Sequence, residues 1–214
     1  IVADYINDVF AIDLNNQAVV SGPSHAEEIA QERLTYLTVG SHNEEFACEI
    51  AKALECRFVK TITSCDVRGI EYGSVMKNIY ALAAGIAHGV GYGDNFIAVL
   101  IANAAQEMET FLDAVAPQKR NINCFVYLGD LLVTAYSQHS RNRTFGQMIG
   151  QGYSVKSAQL EMAMVAEGYY AANCIHKANE TIKVCLPIAE AVYNILYKGM
   201  SAAAELKKLS DNFK

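Results

Sequence analysis

The 214-residue sequence lacks long hydrophobic runs and an excess of basic side chains, and each absence excludes a class of protein. Its longest unbroken apolar stretch covers only residues 96–102, whereas a membrane-spanning helix needs about 20 apolar residues. The chain does not open with a basic segment followed by an apolar one, which is the pattern of a secretory signal. We therefore expect a cytoplasmic protein with no membrane span.

Charge restricts the partners. The sequence has 17 basic and 23 acidic side chains, which give a net charge of -6. A nucleic-acid-binding surface has a basic excess, so no nucleic-acid partner is expected. An anionic substrate would need a local cluster of basic residues.

The six cysteines form no Cys-x-x-Cys pair, and none stands at metal-ligand spacing from the five histidines. This pattern favours reduced thiols packed in an intracellular core over a disulfide or a metal role. No metal site is predicted.

The composition indicates a folded protein of one or two domains. Apolar residues make up 52% of the chain, charged residues 19%, and the mean hydropathy is +0.11. The first residue is Ile1 rather than methionine, so we expect a fragment of a longer protein.

The pattern of the sequence changes near residue 66. Short β-branched runs at 17–20, 34–39 and 58–62 alternate with one helical stretch at 43–54. This α/β segment is too short for a complete domain, because each βαβ unit takes about 30 residues or more. Alanine-rich helical segments follow at 69–88, 95–115, 121–135, 144–149, 155–173 and 187–197. The sequence therefore predicts a mainly α fold with a boundary between residues 1–66 and 67–214.

No Gly-x-Gly-x-x-Gly phosphate-binding fingerprint is present. The looser series Gly85, Gly89, Gly91 and Gly93 follows a helical segment and leads into Asp94. This context favours a helix stop and turn over a phosphate-binding loop.

The first candidate site is Ser21-Gly22-Pro23-Ser24, between an apolar run and a helical stretch at 26–30. Such a turn can offer backbone N–H groups and a hydroxyl to an anion at a helix N-terminus. A capped strand-to-helix turn explains the same residues, and the pattern alone favours it.

The second candidate is Lys77-Asn78, inside an apolar helix without other charges between Glu71 and His88. Lys77 faces either solvent or a cleft in which desolvation brings its amine into a useful acid–base range.

The third candidate combines Asp130 and Thr134, one helical turn apart, with Ser140-Arg141-Asn142-Arg143. The serine, the arginines and the asparagine form a dense set of phosphate donors. A solvated charge run is the alternative.

These motifs together resemble the NAD(P)-dependent glycerol-3-phosphate dehydrogenases, particularly the bacterial branch. The resemblance rests on segments 19–26, 76–79, 84–86, 89–95, 128–131, 140–143 and 165–169, which occur in the family's order. Two departures are His25, in place of an aromatic residue, and residues 124–127, in place of a glycine-rich approach.

The resemblance implies the last strands and helix of a Rossmann-type α/β domain, followed by an all-helical C-terminal dehydrogenase domain, with the active site between the domains. It implies interconversion of sn-glycerol 3-phosphate and dihydroxyacetone phosphate with NAD or NADP, for glycerophospholipid synthesis, by a homodimer. It also implies that the phosphate-binding glycines of the cofactor domain precede Ile1, and that this shortened chain alone does not hold the dinucleotide properly.

Carried over residue by residue, the resemblance makes Lys77 and Asp130 catalytic. The implied substrate-binding residues are Gly22, Ser24, Lys77, Asn78, Asp130, Thr134, Ser140, Arg141 and Asn142. The implied cofactor-binding residues are Ala26, Arg141, Val165 and Glu167.

Two other functions stay open at this point. A related dehydrogenase acting on a β-hydroxy acid would share the fold, although a phosphate monoester explains two arginines better than a carboxylate does. A non-catalytic helical dimerisation module would explain the alanine-rich helices equally well.

Overall fold

The computed structural model of the protein describes residues 1–162, 164 and 166–213. The chain divides into two compact units, Ile1–Ser74 with Asn121–Asp130, and Val75–Arg120 with Leu131–Lys214.

The first unit contains a three-stranded sheet in the order β1-β2-β3. Its elements are α1 (Val2–Phe10), a 3-10 turn (Leu14–Asn16), β1 (Val19–Ser21), α2 (Ala26–Ala30), β2 (Thr35–Gly40), α3 (Glu44–Leu54) and β3 (Val59–Ser64). Strands β2 and β3 are parallel and joined through α3, whereas β1 pairs with β2 antiparallel. The three predicted strands and the helix between the last two are therefore present, and α1 is an addition.

Helix α3 covers one face of this sheet. It begins after Asn43, whose side chain accepts a hydrogen bond from the backbone N–H of Phe46 at 3.2 Å. Ala47 and Ala51 lie on the buried face of the helix and pack against Val39 of β2. These small side chains let the helix approach the sheet closely, as in other βαβ units.

The second unit is helical in its described residues. The helices are α4 (Val67–Val90), α5 (Asp94–Val115), α6 (Asp130–Tyr136), α7 (Arg141–Gly150), α8 (Val155–Glu161), α9 (Glu167–Ile182), α10 (Pro187–Tyr197) and α11 (Ala202–Asn212), of which α4 and α6 begin in the first unit. Predicted starts at Ser154, as an N-cap, and Pro187, in a first turn, are confirmed. Within the part of the chain that is described, no helix has the length and apolarity needed to cross a bilayer.

Three predicted helix bounds are wrong. The segment predicted at 121–135 enters through a π-helical turn, Phe125–Gly129, and becomes α-helical only at Asp130. The helix predicted at 144–149 starts earlier, at Arg141, because the Ser140 side chain caps it. The helix predicted at 155–173 is interrupted, since Met162 and Ala166 have extended backbones.

Glycines on α4 and α7 bring the two helices into backbone contact within the second unit. A Cβ added at Gly85 would lie 2.1 Å from the carbonyl oxygen of Arg143, and one added at Gly146 would lie 2.2 Å from that of Leu82. Gly89 and Gly150 repeat this arrangement one turn later. The predicted helix stop is confirmed for Gly91 and Gly93, which follow the end of α4. It is wrong for Gly85 and Gly89, which lie inside α4 and pack against α7.

Candidate active site

Asp130 accepts a hydrogen bond from a serine hydroxyl in the first unit. The carboxylate is 2% exposed and lies where the π-helical turn passes into α6. Ser21, the last residue of β1, donates its hydroxyl to Oδ2 of Asp130 at 3.3 Å. The Oγ atoms of Ser21 and Ser74 are 2.8 Å apart. We call Ser21, Ser74 and Asp130 the hydroxyl cluster.

The predicted turn leaves the sheet directly after Ser21. Gly22 has a φ of +143°, and a Cβ there would lie 2.5 Å from the carbonyl oxygen of Tyr36, so only glycine fits. Ser24 donates its hydroxyl to the carbonyl oxygen of Gly22 at 2.9 Å. The N-cap of α2 is His25 and not Ser24, and Ala26, the first residue of the helix, is exposed.

An amide cluster forms in the second unit from Asn78, Asn142, Glu167 and Gly168. The side chain of Asn142 accepts a hydrogen bond from the backbone N–H of Gly168 at 2.8 Å and donates one to Oδ1 of Asn78 at 2.9 Å. Asn78 in turn donates to Oε2 of Glu167 at 3.5 Å. The structure therefore joins two predicted substrate residues to one predicted cofactor residue.

The start of α7 places the Ser-Arg-Asn-Arg motif at a helix N-terminus. Ser140 is buried, and its hydroxyl accepts a hydrogen bond from the backbone N–H of Arg143 at 3.3 Å. Arg141 is the exposed first residue of the helix, and Asn142 is buried in its first turn. Free backbone N–H groups at such an end carry partial positive charge, which adds to the charge of Arg141.

Lys77 lies on α4 between Met76, which is fully buried, and Asn78. Its own side chain is half-buried. Thr134 is buried one turn after Asp130 on α6. Val165 lies outside the described residues.

Two members of the clusters were not singled out from the sequence. Ser74 carried no signal, because a lone serine in a helix is ordinary. Gly168 did carry one, because glycine inside a helix is unfavourable and indicates a close approach. A Cβ at Gly168 would lie 2.6 Å from the carbonyl oxygen of Asn78, which is why α9 can start against α4 only with glycine there.

Another buried carboxylate, that of Glu107 on α5, lies outside both clusters. Its two oxygens accept hydrogen bonds from the backbone N–H groups of Ile188 and Ala189, at 2.7 and 2.9 Å, and so cap α10. Burial raises the pKa of Glu107 to about 7, although these backbone hydrogen bonds act in the opposite direction. Burial also raises the pKa of Tyr80, which lies beside it.

Among the described residues, no group of three or more His, Cys, Asp or Glu side chains could hold a metal ion. All six cysteines are free thiols, but none is buried and four are exposed, so the prediction that they pack in a core is wrong.

Comparison with known families decides the relationship of the chain. The model described as "NAD-dependent glycerol-3-phosphate dehydrogenase C-terminus" matches residues 66–207, and the corresponding N-terminus model matches residues 1–47. The chain belongs to the NAD-dependent glycerol-3-phosphate dehydrogenase family. The predicted family is thereby confirmed.

Individual relatives agree with this assignment. The chain is 40% identical over 192 residues to the glycerol-3-phosphate dehydrogenase [NAD(P)+] of Syntrophomonas wolfei, covering 90% of this chain and 56% of the relative. It is 38% identical over 188 residues to the protein of the same name from Clostridium tetani, covering 88% and 54%. The chain thus spans about half the length of these curated relatives.

A solved structure confirms the predicted fold class. The chain superposes on the glycerol-3-phosphate dehydrogenase of Coxiella burnetii with a TM-score of 0.88 and 29% identity, covering 91% of this chain and 60% of that one. The fold is therefore that of a helical C-terminal dehydrogenase domain, preceded by a short Rossmann-type segment.

Proposed function

We propose that this chain, in a protein as long as its relatives, acts as an NAD(P)-dependent glycerol-3-phosphate dehydrogenase. It would interconvert sn-glycerol 3-phosphate and dihydroxyacetone phosphate with NAD or NADP, for glycerophospholipid synthesis. The observation that carries the proposal is the amide cluster, in which Asn78 and Asn142, predicted to bind substrate, meet Glu167, predicted to bind the cofactor. Membership of the family supports it.

The N-terminus of α7 suits the phosphate of this substrate. Ser140, Arg141 and Asn142 stand at the start of a ten-residue helix, where backbone N–H groups and a guanidinium attract a phosphate dianion. We propose that they and the turn containing Gly22 and Ser24 anchor the phosphate, so that remote binding energy orients the reacting carbon.

Lys77 and Asp130 are proposed to handle the proton of the substrate hydroxyl. Oxidation of a secondary alcohol requires a base that takes this proton, and the reverse reaction requires an acid that returns it. Lys77 takes both roles in the proposal. Asp130 holds the hydroxyl group, with Thr134 buried one turn further along α6.

The proposed cofactor residues are Ala26, Arg141, Val165 and Glu167. The two charged members fit a nicotinamide dinucleotide, because both are exposed, one as a cation for its phosphates and one as a hydrogen-bond acceptor. When bound, the dinucleotide supplies hydride transfer.

Three further properties are proposed. A domain boundary at residues 66/67 is supported by the family match that starts at residue 66.

A cytoplasmic location is supported by the six free thiols. A homodimer is supported by exposed apolar side chains on the helices, including Val99, Leu132 and Leu160.

The test is an assay of the full-length protein with dihydroxyacetone phosphate and either NADH or NADPH. We expect turnover that falls about 10³-fold in Lys77→Ala, because a general acid–base group is lost. The matched control is Lys207→Ala, an exposed lysine on α11. Wild-type turnover in Lys77→Ala would remove Lys77 from its role.

The same assay separates the alternatives. Turnover of a β-hydroxy acid with no activity toward dihydroxyacetone phosphate would assign the protein to the related dehydrogenases. No turnover of either substrate class, together with no binding of glycerol 3-phosphate, would favour a non-catalytic dimerisation module.

A further inference from the structure

We propose that Ser74, acting through Ser21, is a positioning residue for Asp130. The inference rests on the proposed function, in which Asp130 holds the substrate hydroxyl. All three residues belong to the first unit, and they come from three elements that are distant in sequence: the end of β1, the body of α4 and the start of α6.

The need for such a device comes from the burial of Asp130. A carboxylate that is 2% exposed has lost almost all of its water, and each lost hydration contact must be replaced by a donor. A hydroxyl is a donor whose direction can rotate, so a single serine leaves the orientation of the carboxylate adjustable.

The direction of the hydrogen bonds follows from counting protons. Ser21 has one hydroxyl proton, which it donates to Oδ2 of Asp130. The 2.8 Å contact between Ser21 and Ser74 therefore needs the proton of Ser74. The chain of donors runs from Ser74 to Ser21 to Asp130, and Ser74 prevents the Ser21 hydroxyl from rotating away.

Secondary structure fixes both serines of this hydrogen-bond chain. Ser21 is paired with Thr38 in the sheet, and the turn that follows is restrained by Gly22. Ser74 belongs to α4, three residues before Lys77 in the sequence. Hydrogen bonds in such chains polarise and strengthen one another, so loss of the distal hydroxyl weakens the proximal bond.

Double-mutant kinetics test the chain in the full-length enzyme. We expect Ser21→Ala to lower kcat about tenfold with little change in KM, and Ser74→Ala to lower it about threefold. The double variant should be no slower than Ser21→Ala, because Ser74 acts only through Ser21. Ser74→Thr, which keeps the hydroxyl, should restore kcat, and Ser210→Ala on α11 is the control.

Two kinetic results would overturn the proposal. One is multiplication of the two single effects in the double variant, which would mean that the serines act separately. The other is a Ser74→Ala enzyme with wild-type kcat.

A second double-mutant cycle, which measures stability, separates this proposal from the proposed function. The unfolding constant is measured for Ser21→Ala in the wild-type and Asp130→Asn backgrounds, without any assay of activity. We expect the effect of Ser21→Ala to shrink at least about threefold when the carboxylate is absent. Equal effects would overturn the positioning role, whereas absence of turnover in the wild type would overturn only the function.

Discussion

Four carboxylates are buried among the described residues, and two of them, Asp130 in the first unit and Glu107 in the second, are held by different kinds of donor. Asp130 receives the hydroxyl of Ser21, which is itself held by Ser74. Glu107 receives two backbone N–H groups at the start of α10. The exposed fractions are nearly equal, 2% and 5%, so burial alone does not separate the two residues.

The donors do separate them. Backbone N–H groups at a helix start must find an acceptor, so a carboxylate that serves them is committed to the fold. The hydroxyl of Ser21 is a side-chain donor and not one of the backbone groups of a helix start, so Asp130 is not needed to complete a helix end in this way. The comparison indicates that Glu107 stabilises a helix end, whereas the proposed function places Asp130 in the chemistry.

The largest expected effect is on activity, from Asp130→Asn. The amide keeps the shape of the side chain but removes its charge, so we expect kcat of the full-length enzyme to fall about 10³-fold. The free energy of unfolding should change by only about 1 kcal/mol. Steady-state kinetics and urea unfolding measure both quantities. A variant that unfolds easily but retains its turnover would reverse the assignment of the two acids.

The second effect is on stability, from Glu107→Ala. Two buried N–H groups lose their acceptor, and we expect the free energy of unfolding to fall by about 3 kcal/mol. Activity per folded molecule should stay within about twofold of the wild type. Glu109→Ala, on the same helix, is the control. A loss of kcat without a loss of stability would place Glu107 in the chemistry.

The smallest effect is the pH dependence of stability. The pKa of Glu107 rises from 4.5 to about 7 on folding, so between these values the folded protein binds more protons than the unfolded chain. The stabilisation is complete below pH 4.5 and is lost as the pH rises through 7. Between pH 5 and pH 8 the loss is about 2.5 kcal/mol.

Glu107→Gln isolates this contribution, because it removes the titrating group. The free energy of unfolding of the variant should therefore vary less with pH than that of the wild type. Glu71, whose pKa is raised by burial, and Glu205, whose pKa is lowered by its hydrogen bond from Lys208, titrate in both proteins and cancel in the difference. Parallel curves for the two proteins would show that Glu107 keeps its ordinary pKa.

Much of the fold was predictable from local patterns. The apolar periodicity of α4 and α5, Pro187 at the start of α10 and Ser154 before α8 each depend on neighbours within a few residues. One of the wrong bounds, the break in the helix predicted at 155–173, lies beside distant contacts. The gap between α8 and α9 exists where Gly168 meets Asn78 and Asn142, 90 and 26 residues away, and periodicity does not include such contacts.

The sequence could predict which residues belong to the candidate site, but not how their side chains contact one another. The resemblance supplied Lys77, Asp130 and the Ser-Arg-Asn-Arg motif, and donor chemistry explained the phosphate. Neither source could show that Asn142 donates to Asn78, or that Ser74 reaches Ser21. These bonds join residues more than 50 positions apart, so only the folded chain reveals them.

The glycines shared by α4 and α7 have a consequence for precision in the second unit. Contacts through side chains can relax by changing rotamer, whereas backbone touching backbone offers no such freedom. Lys77 and Asn78 are carried by one of these helices, and Arg141 and Asn142 by the other. A displacement of about 1 Å can slow catalysis about 100-fold. The distance between the residue pair on α4 and the pair on α7 is thus set by direct backbone contact. A change of side-chain rotamer does not alter this distance.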